Sequence, residues 1–91
     1  RIGLIPDAGG TWTLPRIAGD ARARALFMLA DTIGAEQAAE WGMIWKVVND
    51  EALAAEAAGI CRRLAAVPGD AIALTKQALL ASQVNDFGAQ L

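Results

Sequence analysis

The stretch IGLIPDAGGTWTLPRIAG, residues 2–19, contains one acidic residue, Asp7, between a proline and a glycine pair in a largely apolar run. Glycine adopts the backbone angles of tight turns, and Gly19 is a typical helix terminator. The pattern predicts a turn at Asp7 that leads into a short helix over residues 9–19, with Pro15 near its middle limiting its length. A lone carboxylate is therefore expected directly before a helix N-terminus.

The following segments have helical spacing and one strand-like run. Asp20 is a good N-cap for a second helix over residues 21–31, and a third helix over residues 35–42 stops at Gly42. The next six residues, MIWKVV at 43–48, are rich in β-branched and aromatic side chains, which favour a short strand. These segments predict a mostly helical structure with one short strand.

Two amphipathic helices are expected in the second half of the chain. The first has apolar residues at intervals of four, three and four positions, at Leu53, Ala57, Ile60 and Leu64. It ends near Pro68, and Asp70 is expected to cap a last helix through about Val84. Such helices must bury their apolar stripes, so we expect a partner in the remainder of a longer chain or in another subunit.

Composition limits the class of protein. The chain has 91 residues, 55% of them hydrophobic, and a net charge of −2, so it is too apolar for disorder and lacks the basic footprint of a nucleic-acid binder. No apolar run approaches the roughly 18 residues of a membrane span, and the single cysteine cannot form an internal disulfide. We therefore expect a cytoplasmic protein without nucleic-acid or membrane partners. Because the chain lacks a starting methionine and ends in a helical pattern, we also expect it to be part of a longer protein.

Several kinds of site are disfavoured by the residues present. The chain has no histidine, which excludes a Cys–His nucleophile within it and removes most zinc and copper arrangements; no metal site is predicted. Cys61 is interpreted as a packing residue. The glycine pair lacks the third glycine and the following lysine of a phosphate loop, so nucleotide binding is not expected.

Asp7 has two interpretations from its neighbours alone. It could be an ordinary turn or capping acid, since carboxylates are favoured near helix N-termini. It could also be a proton-transfer group, because the adjacent glycines would let a ligand approach the backbone closely. The tryptophans also have two interpretations: they could line a pocket, although tryptophans at helix and strand positions more often lie in a core. They are Trp12, Trp41 and Trp45.

The motifs together resemble the crotonase (enoyl-CoA hydratase/isomerase) superfamily over essentially all of residues 1–91. Three features carry the resemblance: the Gly-x-x-Pro-x-x-Gly-Gly stretch that begins at Gly3, the Ala-x-x-Ala-x-x-x-Gly helix that ends at Gly42, and Pro68 leading into a helix with Lys76. The segments PDAGGTW and EWGMIW are similar to those of the 2-(1,2-epoxy-1,2-dihydrophenyl)acetyl-CoA isomerases of aerobic phenylacetate degradation.

The resemblance implies the α/β crotonase fold, a spiral of repeated ββα turns, for the full protein. Residues 1–49 would form the last ββα-type core turn with the active-site loop, and residues 50–91 would begin the C-terminal helical region. The full protein would form a homo-trimer or a hexamer.

The resemblance further implies an isomerase acting on an acyl-CoA substrate by proton transfer through an oxyanion-stabilised enolate. Asp7 would be the catalytic acid/base, and the substrate-binding residues would be Pro6, Gly9, Gly10 and Trp12. No cofactor is expected, since coenzyme A is part of the substrate. The backbone N–H donors of the oxyanion hole would fall before Arg1, so the 91 residues alone are expected to be inactive.

Other functions stay open on the same residues. Hydratases typically have Pro-Gly where this chain has Pro6-Asp7, and Gln-Arg where it has Trp12-Thr13, which makes hydratase chemistry less expected. One alternative is an enoyl-CoA hydratase or an aryl-CoA dehalogenase on the same fold. The second alternative is a non-catalytic packing or assembly element.

Overall fold

The computed structural model describes residues 3–91, so the first two residues of the segment predicted over 1–49 lie outside it. The chain divides into two compact units, Arg1–Val47 and Val48–Leu91. Among the described residues, all regular structure is helical. The assignment of residues 1–49 to a core turn and of 50–91 to a C-terminal region stays a prediction.

Three helices form the regular structure of the first unit: α1 over Gly10–Ala18, α2 over Asp20–Leu29 and α3 over Ala35–Glu40. Helix α1 continues through Pro15 and ends at Gly19, as predicted. Gly19 has φ 95° and ψ 158°, a region of backbone conformation that is essentially restricted to glycine. The chain can therefore reverse from α1 into α2 within one residue.

That single-residue connection corrects the predicted cap of α2. Asp20 is the first residue of the helix, and Gly19 is its N-cap, with no side-chain capping bond. The Asp20 carboxylate instead accepts a hydrogen bond from Nε of Arg24 at 2.7 Å. Asp70 is displaced in the same way, because α5 begins at Gly69 directly after the N-cap residue Pro68.

Helices α1 and α2 contact each other, and the buried residues of this unit have small side chains. Ala18 and Ala23 are 8% and 3% exposed, and they are the only buried residues among those described. The buried part of this unit is therefore too small to enclose a large aromatic side chain.

Helix α3 ends in a Schellman motif. Gly42 has φ 79°, its N–H donates to the carbonyl of Ala39 at 3.1 Å, and the N–H of Met43 donates to that of Ala38 at 2.9 Å. The predicted stop at Gly42 is confirmed. The predicted strand over residues 43–48 is wrong, since bends and irregular backbone occupy these positions and no strand occurs anywhere in residues 3–91. A strand requires a neighbouring strand to pair its backbone groups, which side-chain preference cannot supply.

The second unit contains a short 3-10 helix at Asp50–Ala52 and three α-helices: α4 over Leu53–Ala65, α5 over Gly69–Ala81 and α6 over Phe87–Gln90. Helix α4 carries the predicted apolar repeat but ends at Ala65 rather than near Pro68, and α5 ends at Ala81 rather than about Val84. Helix α6 was not predicted, although its N-cap is a standard signal: the Asp86 carboxylate accepts a hydrogen bond from the Ala89 N–H at 2.7 Å.

The apolar stripe of α4 is only partly covered within residues 3–91. Leu64 is 53% exposed, Leu53 is also exposed and Ile60 is half-buried. No residue of α4 or α5 is buried. The expectation that these leucines face a common apolar partner stays a prediction.

Candidate functional site

Asp7 lies at the first position of a tight turn. The Gly10 N–H donates to the Asp7 carbonyl at 3.0 Å, and the two central residues, Ala8 and Gly9, have φ 52° and 82°. Positive φ at both central positions is the signature of a type I′ turn. Left-handed backbone costs a residue with a Cβ roughly 1–2 kcal/mol, so Ala8 is held in a conformation that alanine disfavours.

The turn is joined directly to the first turn of α1. The carbonyl of Gly9, the N-cap, accepts backbone hydrogen bonds from Trp12 and Thr13, each at 3.0 Å. The Thr13 hydroxyl also donates to this carbonyl at 3.2 Å. The backbone that carries Asp7 is thus anchored to a helix, and the Asp7 residue itself is exposed.

The two glycines of the pair have different surroundings. A Cβ added at Gly9 would meet nothing within 4 Å, whereas one added at Gly10 would lie 3.7 Å from Cζ of Phe27 and 3.8 Å from Cβ of Pro6. Gly10 therefore lies close to Pro6 and to α2, whereas the space beside Gly9 is open. Phe27 was not singled out from sequence; its apolar character on α2 was the available signal.

Trp12, the third residue of α1, is 54% exposed. Cζ of Arg16 lies 3.8 Å from the centroid of its indole ring, and Nη1 of the same guanidinium donates to the Trp12 carbonyl at 2.8 Å. The i, i+4 spacing of the two residues on one helix was a sequence signal for this contact. An exposed aromatic side chain therefore follows the Asp7–Gly10 turn two residues along the chain.

Of the two alternatives left open for the tryptophans, a place in the core does not hold for two of them. Trp45 is 76% exposed and Trp12 is more than half exposed, because the buried part of the unit consists of two alanines. Trp41 is half-buried, with Cζ of Arg22 5.0 Å from its ring centroid. Cys61, interpreted as a packing residue, is also exposed.

The five predicted site residues are neighbours in the sequence, and the structure places them on the Asp7–Gly10 turn and the residues that flank it. This position of Asp7 suits both a turn acid and a proton-transfer group, so its role stays a prediction. Within residues 3–91, no group of three or more histidine, cysteine, aspartate or glutamate side chains could hold a metal ion. No helix in this part of the chain is long and apolar enough to cross a membrane.

Comparison with known proteins gives one consistent result. Residues 1–90 match the family model described as enoyl-CoA hydratase/isomerase. Over its full length of 91 residues, the chain is 52% identical to part of the 1,2-epoxyphenylacetyl-CoA isomerase of Escherichia coli. Over the same length it is 46% identical to part of a Rhodobacter capsulatus protein named "Probable enoyl-CoA hydratase". The chain spans about a third of the length of these relatives, 35% of each.

A solved structure shows the same likeness in three dimensions. The crystal structure of an enoyl-CoA hydratase from Bacillus anthracis superposes with a TM-score of 0.89 at 32% identity, covering 98% of this chain and 34% of that one. The fold expected from the sequence motifs is therefore confirmed for this part of the family's architecture.

Proposed function

This chain belongs to the enoyl-CoA hydratase/isomerase family, and from that premise we propose that it is part of an isomerase acting on acyl-CoA thioesters by proton transfer. The observation that carries the proposal is the position of Asp7. It is the one carboxylate in residues 1–19, it is exposed, and it lies on a turn anchored to the N-terminus of α1.

A carboxylate in this place can move a double bond without net gain or loss of atoms. The thioester acidifies the C–H bond of the carbon beside it; that bond breaks, the proton passes to Asp7, and the electron pair delocalises into the thioester oxygen. Asp7 then returns the proton to the carbon of the original double bond that lies farther from the thioester, so the double bond ends one position closer to the thioester. Backbone N–H donors, which the family resemblance assigns to residues before Arg1, would stabilise the enolate oxygen.

The proposed substrate is a CoA thioester with a ring-shaped acyl group, such as 2-(1,2-epoxy-1,2-dihydrophenyl)acetyl-CoA. The support is the 52% identity, over the whole chain, with an isomerase named for such a thioester. The exposed indole of Trp12 offers a flat apolar surface, and the open side of Gly9 offers space. Pro6 and Gly10 are proposed to bind the substrate at the same turn, where a Cβ added at Gly10 would lie 3.8 Å from Cβ of Pro6 and 3.7 Å from Cζ of Phe27.

Hydration of a 2-enoyl-CoA is the second candidate, favoured by the relative named as a hydratase at 46% identity. It differs in outcome, because water adds across the double bond to give a 3-hydroxyacyl-CoA. We also propose that the full-length protein is a cytoplasmic homo-trimer or hexamer and needs no cofactor beyond the coenzyme A of its substrate. Sedimentation of the purified protein would measure its oligomeric state, and activity after dialysis would show whether it needs a cofactor.

The two reactions are separated by their products. The full-length protein would be incubated with 3-hexenoyl-CoA, with the ring-epoxide thioester and with crotonyl-CoA; the products would be separated by liquid chromatography, compared with standards and weighed by mass spectrometry. We expect 2-hexenoyl-CoA and a ring-rearranged isomer, both of unchanged mass. Rapid conversion of crotonyl-CoA to a product heavier by one water, with no isomerisation of the other two, would overturn the isomerase proposal in favour of the hydratase.

A further inference from the structure

Arg16 contacts Trp12 in two ways at once. Its Nη1 donates to the Trp12 backbone carbonyl at 2.8 Å, and its Cζ lies 3.8 Å from the centroid of the Trp12 ring. This separation is well within the 6 Å range of a cation–π contact. The same planar group therefore touches the backbone and the ring of one residue.

This double contact restrains an otherwise exposed side chain. An indole on a helix surface has several staggered orientations, and the guanidinium stabilises the one that places the ring beneath it. Trp12 still keeps 54% of its surface exposed, so a large part of the indole stays open to a ligand. Trp12 is also the third residue of α1, directly after the turn that carries Asp7.

We propose that Arg16 is a positioning residue that holds the Trp12 indole as a rigid wall, and that this wall makes the site prefer ring-shaped over linear acyl groups. The inference rests on the proposed function. A flat ring stacks favourably on an indole, and a wall ordered in advance loses less freedom when the ligand binds. Arg16 touches Trp12 and acts on the acyl group only through it.

The second cation–π pair of this unit is a matched control. Cζ of Arg22 lies 5.0 Å from the Trp41 ring, but Trp41 is half-buried and lies outside the Asp7 turn. Arg22→Ala removes the same kind of contact, with the same loss of charge, from an indole that is not expected to meet the acyl group.

The test measures binding and turnover separately on the full-length protein. Calorimetry gives Kd for phenylacetyl-CoA and for hexanoyl-CoA, and the ratio of the two is the ring preference. We expect Arg16→Ala to lower this preference about 2- to 5-fold, the range of an exposed cation–π contact. Arg22→Ala should leave both the preference and kcat for 3-hexenoyl-CoA unchanged.

A double variant shows whether Arg16 acts through Trp12. Trp12→Ala should lower the ring preference at least as much as Arg16→Ala, and adding Arg16→Ala to Trp12→Ala should change nothing further. An effect of Arg16→Ala that persists without Trp12, or an equal loss of affinity for both thioesters, would overturn the inference. So would an unchanged preference in Arg16→Ala.

A second pair of variants covers the case in which Arg16→Ala does not fold. Arg16→Lys and Arg16→Gln both keep a long hydrogen-bond donor, but only lysine keeps the charge over the ring. Lysine should retain part of the preference and glutamine should lose it; equal preferences would count against the inference. If Arg16→Ala lowers the ring preference as expected but the wild type isomerises no thioester, only the proposed function is overturned. If the wild type binds neither thioester, both the proposed function and this inference are overturned.

Discussion

The two units of the chain differ in what determines their conformation. In Arg1–Val47, turns with left-handed residues and two buried alanines set how the backbone runs from the Asp7 turn to α3. In Val48–Leu91, α4 and α5 are regular thirteen-residue helices without a buried residue. The first unit is specified by local backbone chemistry, whereas helices such as α4 gain most of their stability by burying an apolar face.

The largest expected effect concerns the turn of the first unit. In the full-length protein, Asp7→Asn should reduce turnover by about 10²–10⁴, the range for a lost general acid–base group, because asparagine keeps the size but cannot carry the proton. The measurement is kcat with 3-hexenoyl-CoA and with the ring-epoxide thioester, alongside the melting temperature.

Asp20→Asn is the matched control for that variant, since it makes the same change at an exposed carboxylate of α2. It should leave turnover close to the wild-type value. If Asp7 were only a turn residue, asparagine would replace it almost equally well, because both rank alike in turns. Near-normal turnover of both substrates by Asp7→Asn would therefore refute its catalytic role.

The next effect tests the apolar stripe of the second unit. Leu64→Ala should destabilise the full-length protein by roughly 2–5 kcal/mol, the cost of truncating a leucine that a partner surface covers. Urea unfolding measures it, with Arg63→Ala, the neighbouring exposed position, as the control. A loss below about 0.5 kcal/mol would mean that Leu64 stays in solvent, and the contrast between the units would fail.

A glycine-to-alanine substitution should change the free energy of unfolding differently in the two units. Gly19→Ala should cost roughly 1–3 kcal/mol, since φ 95° and ψ 158° are strained for any residue with a Cβ. Gly69→Ala should be neutral or stabilise by up to about 1 kcal/mol, because a Cβ there meets nothing within 4 Å and alanine favours helix. Equal losses at both positions in denaturant unfolding would contradict the local origin of the α1–α2 connection.

The smallest expected effect is at the surface of α2. The Asp20–Arg24 ion pair is 2.7 Å long, but its side chains are 73% and 65% exposed, so water screens it. Arg24→Ala should lower the free energy of unfolding by only about 0.3–0.5 kcal/mol, and less at high salt. A loss above about 1 kcal/mol that is insensitive to salt would show that Arg24 has another structural role.

Much of the helical structure was predictable because a helix closes its hydrogen bonds within four residues. Gly19 and Gly42 end α1 and α3 as the sequence indicated, and α4 follows its apolar repeat. The N-caps predicted at Asp20 and Asp70 are wrong, since the residue that caps a helix depends on where the preceding segment ends. The candidate site was predictable as a segment but not as a geometry: neither the type I′ turn nor the Arg16 contact follows from residue types alone.

By itself, the sequence determined the family, the order of helices α1 to α5 and the placement of Asp7 before α1, because motifs, glycine terminators and helical periodicity act over a few neighbouring residues. The tertiary structure alone decided that residues 43–48 form no strand and that Ala18 and Ala23 are buried while Trp12 and Trp45 are exposed. Strand pairing and burial depend on which distant groups approach one another, and no local pattern specifies that approach.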